Sequence, residues 1–227
     1  MVLGRQLPYP NRSAAGRALA DRLMAYAGRT DTLILALPRG GAPVAHEMAR
    51  LLDLPWDVFV VRKLGVPGYE ELAMGAIASG GVRMMNEDVL SQLRLPSTAV
   101  DRAVSRATDL IAEREHAYRG NQPPPDIRGL TVILVDDGLA TGATMQAAVK
   151  ALRAQGAARL VVAVPVAAPD VCEALSAQVD QVDEVVCAAT PDPCDGVRLW
   201  YEDFSQTTDE DVRTLLAGRH AGESRSR

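Results

Sequence analysis

One stretch constrains this chain more than any other: Val132-Ile133-Leu134-Val135-Asp136-Asp137-Gly138-Leu139-Ala140-Thr141-Gly142-Ala143-Thr144. Its first four residues are apolar and three of them are β-branched, which reads as a buried parallel strand. Two adjacent carboxylates stand where that strand should end. A short turn rich in Gly and Thr follows, and residues 145–152 then read as a helix. In an open α/β sheet, ligands bind outside the carboxyl ends of the strands. The turn presents backbone N–H groups and two Thr hydroxyls at a helix N-terminus, which suits a phosphate. Acid groups for hydroxyls or a metal thus sit beside an anion cradle, and a phosphorylated sugar would use both. The plain alternative is an ordinary strand-to-helix turn whose carboxylates only cap the helix.

The rest of the chain alternates in the same way. Strands are predicted over 32–37, 57–61, 132–135, 160–166 and 183–188. Helices are predicted over 11–28, 42–52, 97–118, from 145 to near Gly156, 170–177 and 208–217. Residues 62–69 read as a loop, 72–78 and 82–85 as short paired strands around Ser79-Gly80-Gly81, and 191–204 as irregular. This alternation predicts a Rossmann-like parallel sheet flanked by helices. A chain of 227 residues, 48% of them hydrophobic, is large enough for one such domain.

The strand–Asp-Asp–turn–helix resembles the phosphoribosyl pyrophosphate (PRPP) motif of type I phosphoribosyltransferases, in a form close to that of the adenine enzymes. The resemblance covers residues 11–205 in the expected motif order. It implies that Asp136 and Asp137 bind the ribose hydroxyls, with Mg2+ as cofactor held directly or through water. It implies that Gly138, Leu139, Ala140, Thr141, Gly142, Ala143 and Thr144 wrap the ribose and 5-phosphate. It further implies a single domain over 1–227, with a core over about 30–188 and a mobile loop over about 64–82. A small hood would form from about 189–207 and the N-terminal segment.

Two further segments fit the family order. Pro38-Arg39-Gly40-Gly41 follows the first core strand. Its glycines permit a sharp turn and close approach, and Arg39 can make charge-assisted bonds to phosphate. This segment resembles the family's pyrophosphate loop. Residues 60–68 resemble the start of its mobile catalytic loop, which implies that Arg62 and Lys63 contact the leaving pyrophosphate. The hypoxanthine-guanine enzymes place a carboxylate where this chain has Ala140, so a proton-transfer role there is excluded. Adenine-type enzymes place a Glu in the mobile loop, and Glu70 and Glu71 are the candidates here, Glu71 being preferred. Aromatic residues are only 4% of the chain. Trp200 and Tyr201, with Phe204 nearby, lie in the region that resembles the hood and are candidates for stacking on a planar base.

The implied activity is transfer of the 5-phosphoribosyl group from PRPP to a purine-like nitrogenous base, with release of pyrophosphate. A 6-amino purine is preferred over a 6-oxo purine. The alternative is a regulator of the same fold that binds PRPP without turnover. Small molecules are the expected partners, and the resemblance admits a homodimer. Net charge is −5 with no long basic run, which argues against double-stranded nucleic acid as a partner. The tail Glu223-Ser224-Arg225-Ser226-Arg227 reads as a frayed terminus. No signal peptide and no apolar run of roughly 18 residues is visible, so a cytoplasmic protein without membrane contact is expected. The three cysteines, Cys172, Cys187 and Cys194, lack zinc-like spacing and are expected to be reduced thiols. His46, His116 and His220 are scattered, which gives no support to a metal cluster.

Overall fold

The structure is a computed structural model and describes residues 7–93, 95–178 and 180–218. His220 and the tail 223–227 lie outside the described residues. A five-stranded parallel sheet has the order β2-β1-β6-β7-β8. Its strands are β1 (Thr32–Ala36), β2 (Trp56–Val58), β6 (Thr131–Val135), β7 (Arg159–Val166) and β8 (Glu184–Ala189). β6 sits in the middle and all five of its residues are buried. The pleat sends its side chains alternately to the two faces. Ile133 and Val135 join a core built with Leu19, Met48 and Ile111. Val132 and Leu134 join another with Met145, Val149 and Leu152. A continuous apolar run is therefore what this position demands.

Helices cover both faces. They are α1 (Arg12–Ala20), α2 (Gly41–Leu52), α3 (Glu87–Leu93), α4 (Ser97–Arg119), α5 (Ala143–Ala154), α6 (Pro169–Ser176) and α7 (Asp209–Gly218). A second sheet, antiparallel, is formed by β3 (Val61–Val66), β4 (Tyr69–Ala78) and β5 (Val82–Met85).

Several expectations are corrected. Residues 62–69 are not a loop: β3 and β4 form a hairpin closed by Pro67-Gly68, with Gly68 at φ 84°. Leu64 and Val66 are buried in it, which holds the strand down. The first helix stops at Ala20, and a short 3-10 turn follows at Met24–Tyr26. The segment 191–204 contains a 3-10 turn, Val197–Trp200. α3 has no counterpart among the predicted helices. Cys172 and Cys187 are joined in a disulfide rather than reduced, because α6 and β8 bring their Cα atoms to 6.6 Å. Cys194 remains a free thiol.

Candidate active site

From β1 the chain moves outward to β2, whereas from β6 it moves the other way to β7 and β8. The strand order thus reverses between β1 and β6, the place where parallel α/β sheets open a crevice at their carboxyl ends. Ala36 and Val135, the last residues of the two strands, are paired in register. The loops that leave them, Leu37–Gly40 and Asp136–Gly142, therefore emerge side by side. Each runs into a helix N-terminus, α2 at Gly41 and α5 at Ala143. Two helix starts face the same crevice, although at α2 the N–H groups of Gly41 and Ala42 are already given to the Leu37 and Arg39 carbonyls.

The two loops touch, and glycine is what permits it. A Cβ on Gly40 would collide with the carboxylate of Asp137. A Cβ on Gly41 would lie 2.7 Å from the carbonyl oxygen of Val135 and 3.1 Å from the Cα of Asp136. The Pro38–Arg39 peptide is cis. Arg39 is half-buried and its guanidinium lies 3.9 Å from Asp209 of α7. The other carboxylate oxygen of Asp209 accepts a 2.5 Å hydrogen bond from the Tyr118 hydroxyl.

Asp136 and Asp137 stand on the edge of the crevice, both partly buried. Asp136 Oδ1 accepts from the backbone N–H of Asp137 at 2.9 Å. Arg12 donates from Nε to Asp137 Oδ2 at 2.8 Å. Burial pushes the Asp136 carboxyl well above the usual carboxylate range, and the adjacent Asp137 charge pushes the same way. Burial also raises Asp137, with the Arg12 guanidinium pulling it back. One cation thus serves two carboxylates, a charge arrangement often seen where a ligand completes the site. Among the described residues no group of three His, Cys, Asp or Glu could hold a metal ion unaided. The carboxylate pair fits a divalent cation that takes most of its oxygens from a ligand and water.

Ala140, Thr141, Ala143 and Thr144 are exposed around Gly142, which sits at φ 71° and leads into α5. The sheet β3–β5 packs near the same helix and leaves a cleft of about 640 Å³, lined among others by Lys63, Met84, Thr144, Gln146 and Lys150. Lys63 and the phosphate-type loop therefore share one cavity. Arg62 is exposed and does not line it, because neighbouring strand residues point to opposite faces. Glu71 is exposed on β4, 4.0 Å from Lys63 Nζ through its carboxylate, while the Glu70 carboxylate and backbone lie against Gly65.

The aromatic pair is split. Tyr201 is no stacking surface: it is buried against Tyr9 and Phe204, with ring centroids 5.8 and 5.0 Å away. Its hydroxyl donates to the Asp137 carbonyl at 2.6 Å. The ring braces the motif from beneath. Trp200 is half-buried. Arg12 is the residue that sequence reasoning misses, and its place in helical spacing gives no signal of its partner.

Residues 7–195 match the phosphoribosyl transferase domain family. The chain belongs to that family. Two Mycobacterium tuberculosis proteins whose names propose a phosphoribosyl transferase are 41% identical to it over 212 residues, 93% of this chain and 47% of theirs. The chain therefore spans about half the length of these curated relatives. A solved structure from Thermus thermophilus is 39% identical and superposes with a TM-score of 0.81, covering 93% of this chain and 99% of that one. Among the described residues no helix is long and apolar enough to cross a membrane.

Proposed function

We propose that this chain transfers the 5-phosphoribosyl group from PRPP to a planar, purine-like nitrogen heterocycle and releases pyrophosphate. The observation that carries the reading is the convergence at the switch point. Two adjacent carboxylates, one of them paired with Arg12, stand beside a phosphate-type turn and against a Gly-Gly loop. Asp136 and Asp137 accept from the ribose hydroxyls. Backbone N–H groups of residues 140–144, with Thr141 and Thr144, hold the 5-phosphate; the buried Leu139 gives its N–H to the Val166 carbonyl at 2.9 Å and anchors the loop. Arg39 and the N–H group of Gly40 bind the pyrophosphate, while the Gly41 N–H stays on the Leu37 carbonyl at 3.0 Å and closes the turn. For that, Arg39 exchanges its 3.9 Å contact with Asp209 for the ligand.

Asp136 and Asp137 are the residues that would hold Mg2+, which when bound neutralises pyrophosphate charge. The rest of the catalysis is placement and electrostatics by this chain. Charge developing on the leaving group is stabilised by Lys63, from a cleft that it shares with Thr144, and by Arg62 once the hairpin shifts. Glu71 takes the proton lost by the attacking nitrogen. The hairpin β3–β4 covers the sugar and excludes water. Ala140 leaves no carboxylate facing the base, which favours a 6-amino over a 6-oxo purine, and Trp200 supplies the remaining aromatic surface beside it. Location in the cytoplasm and assembly as a homodimer belong to the same reading.

The test is pyrophosphate release with PRPP and magnesium across adenine, hypoxanthine, guanine, xanthine, uracil and orotate. Turnover on adenine supports the full reading. Turnover confined to hypoxanthine or orotate contradicts the role given to Ala140. PRPP binding without turnover on any base would make the chain a PRPP-binding regulator.

A further inference from the structure

The carboxylate of Asp137 is gripped by a residue that belongs to neither recognised loop. Arg12 opens α1, directly after Asn11, whose side chain caps the helix by accepting from the Ala14 N–H at 2.9 Å. From there its guanidinium reaches three separate targets. Nε donates to Asp137 Oδ2 at 2.8 Å. Nη1 donates to the Ser205 carbonyl at 2.7 Å. Its Cζ lies 3.9 Å from the centroid of the Phe204 ring. The side chain is only 11% exposed, so these contacts are made largely out of water and hold their geometry.

The other sides of Asp137 are closed as well. Gly40 abuts the carboxylate, and the Tyr201 hydroxyl holds the Asp137 carbonyl. Arg12 occupies Oδ2 only. Among the described residues no other side chain donates to Oδ1, and it is the oxygen left to accept from a ligand. An ammonium could replace the charge, but not the fork that spans a carboxylate and a carbonyl while lying flat on a ring.

We propose that Arg12 is a positioning residue for the sugar: it fixes Asp137 so that Oδ1 meets a ribose hydroxyl, and it ties that carboxylate to the C-terminal segment 204–205. This rests on the PRPP reading above. It assigns the N-terminal helix a part in substrate binding, and not only in packing.

The experiment is calorimetric titration of magnesium PRPP into the full chain and its variants, with melting temperatures measured in parallel. Arg12→Ala is expected to weaken binding at least tenfold, about 1.4 kcal/mol. Arg12→Lys should recover part of that loss. Phe204→Leu removes the ring contact and leaves the ion pair, so it should stay within twofold of wild type. In an Asp137→Asn background, Arg12→Ala should change affinity less than twofold, because its route to the sugar is already gone. Equal losses for Arg12→Ala and Phe204→Leu, or full additivity with Asp137→Asn, would overturn the role of Arg12 while PRPP binding itself stands. If Arg12→Ala does not fold, Arg12→Lys decides: wild-type affinity overturns the proposal. Wild-type protein that fails to bind PRPP overturns both readings together.

Discussion

The two edges of the central sheet treat their acids in opposite ways. At the amino edge the acids beside the strand starts have partners of their own. Arg29 grips Asp31 with two bonds, at 2.9 and 2.8 Å, and holds its carboxyl down to about 2. Glu184 receives Arg159 at 3.0 Å and the Tyr26 hydroxyl at 2.6 Å. Asp183 pairs with Arg153 and accepts the Leu160 N–H at 2.6 Å. Burial pushes Asp183 up, but those bonds outweigh it and the net shift is downward. At the carboxyl edge Asp136 and Asp137 crowd together, share Arg12, and are both pushed up. Acids that serve the fold are matched one to one. Acids left crowded and half-matched lower stability where they stand, which is the pattern of a site waiting for a ligand.

The largest expected break in this comparison is kinetic. Lys63→Ala should lower the rate of pyrophosphate release about a hundredfold, in line with the loss of one group that stabilises transition-state charge. Lys63 is half-exposed and its ionic partner Glu71 is exposed, so the melting temperature should move by less than about 1–2 °C, as a surface change allows. Wild-type kinetics on a confirmed acceptor would remove Lys63 from the mechanism.

The next effect is on folding at the amino edge. Asp183→Ala strips the Leu160 N–H and Arg153 of their acceptor, and should cost about 1–3 kcal/mol. That corresponds to a drop in melting temperature of roughly 2–12 °C. PRPP affinity should be unaffected, since Asp183 lies at the opposite edge. A variant as stable as wild type would show that the paired acids contribute nothing.

A smaller change of opposite sign is expected across the sheet. Asp136→Asn keeps an oxygen for the Asp137 N–H and removes a charge that burial disfavours, so the melting temperature should rise by about 1–4 °C at neutral pH. The pH dependence follows from the direction of each shift. A carboxyl raised in the folded state costs stability as pH climbs above its unfolded value near about 4, so the gain from Asp136→Asn should shrink as pH falls toward that value. A carboxyl lowered in the folded state contributes stability above that value and loses it in acid, so the deficit of Asp183→Ala should shrink there too. Thermal melts at stepped pH check both, and a gap for Asp136→Asn that widens in acid would contradict the assigned cause.

Much of this is legible without coordinates. β6 and its loop stand out because a buried parallel strand has to be apolar on both faces, and because acids at its end have no packing role. Gly40 and Gly41 read as positions of close approach, and the contacts with Asp137 and Val135 are of that kind. The hairpin at 61–78 reads as a loop in its first half. Its register shifts around Gly65 break the period-2 pattern, and Pro67-Gly68 has the composition of a loop. α3 is only seven residues long and fully buries none of them, and its apolar face, Val89 and Leu90 packed on the core, is too short for a helical period to stand out. The disulfide joins cysteines whose spacing of 15 carries no signal; only the packing of α6 on β8 reveals it. Arg12 lies 125 residues from Asp137, and no local pattern links them. Tyr201 offers the sequence reader a ring, whereas its hydroxyl bond and burial make it a brace.

The central claim is that the crowded acids at the carboxyl edge receive a phosphorylated sugar. The most direct measurement is calorimetric titration of PRPP with magnesium into the wild-type chain and into the Asp136→Asn, Asp137→Asn double variant. Saturable binding to the wild type is expected, with at least a tenfold weaker affinity in the folded double variant, about 1.4 kcal/mol. Unchanged affinity in the double variant, or no binding to the wild type, would contradict it.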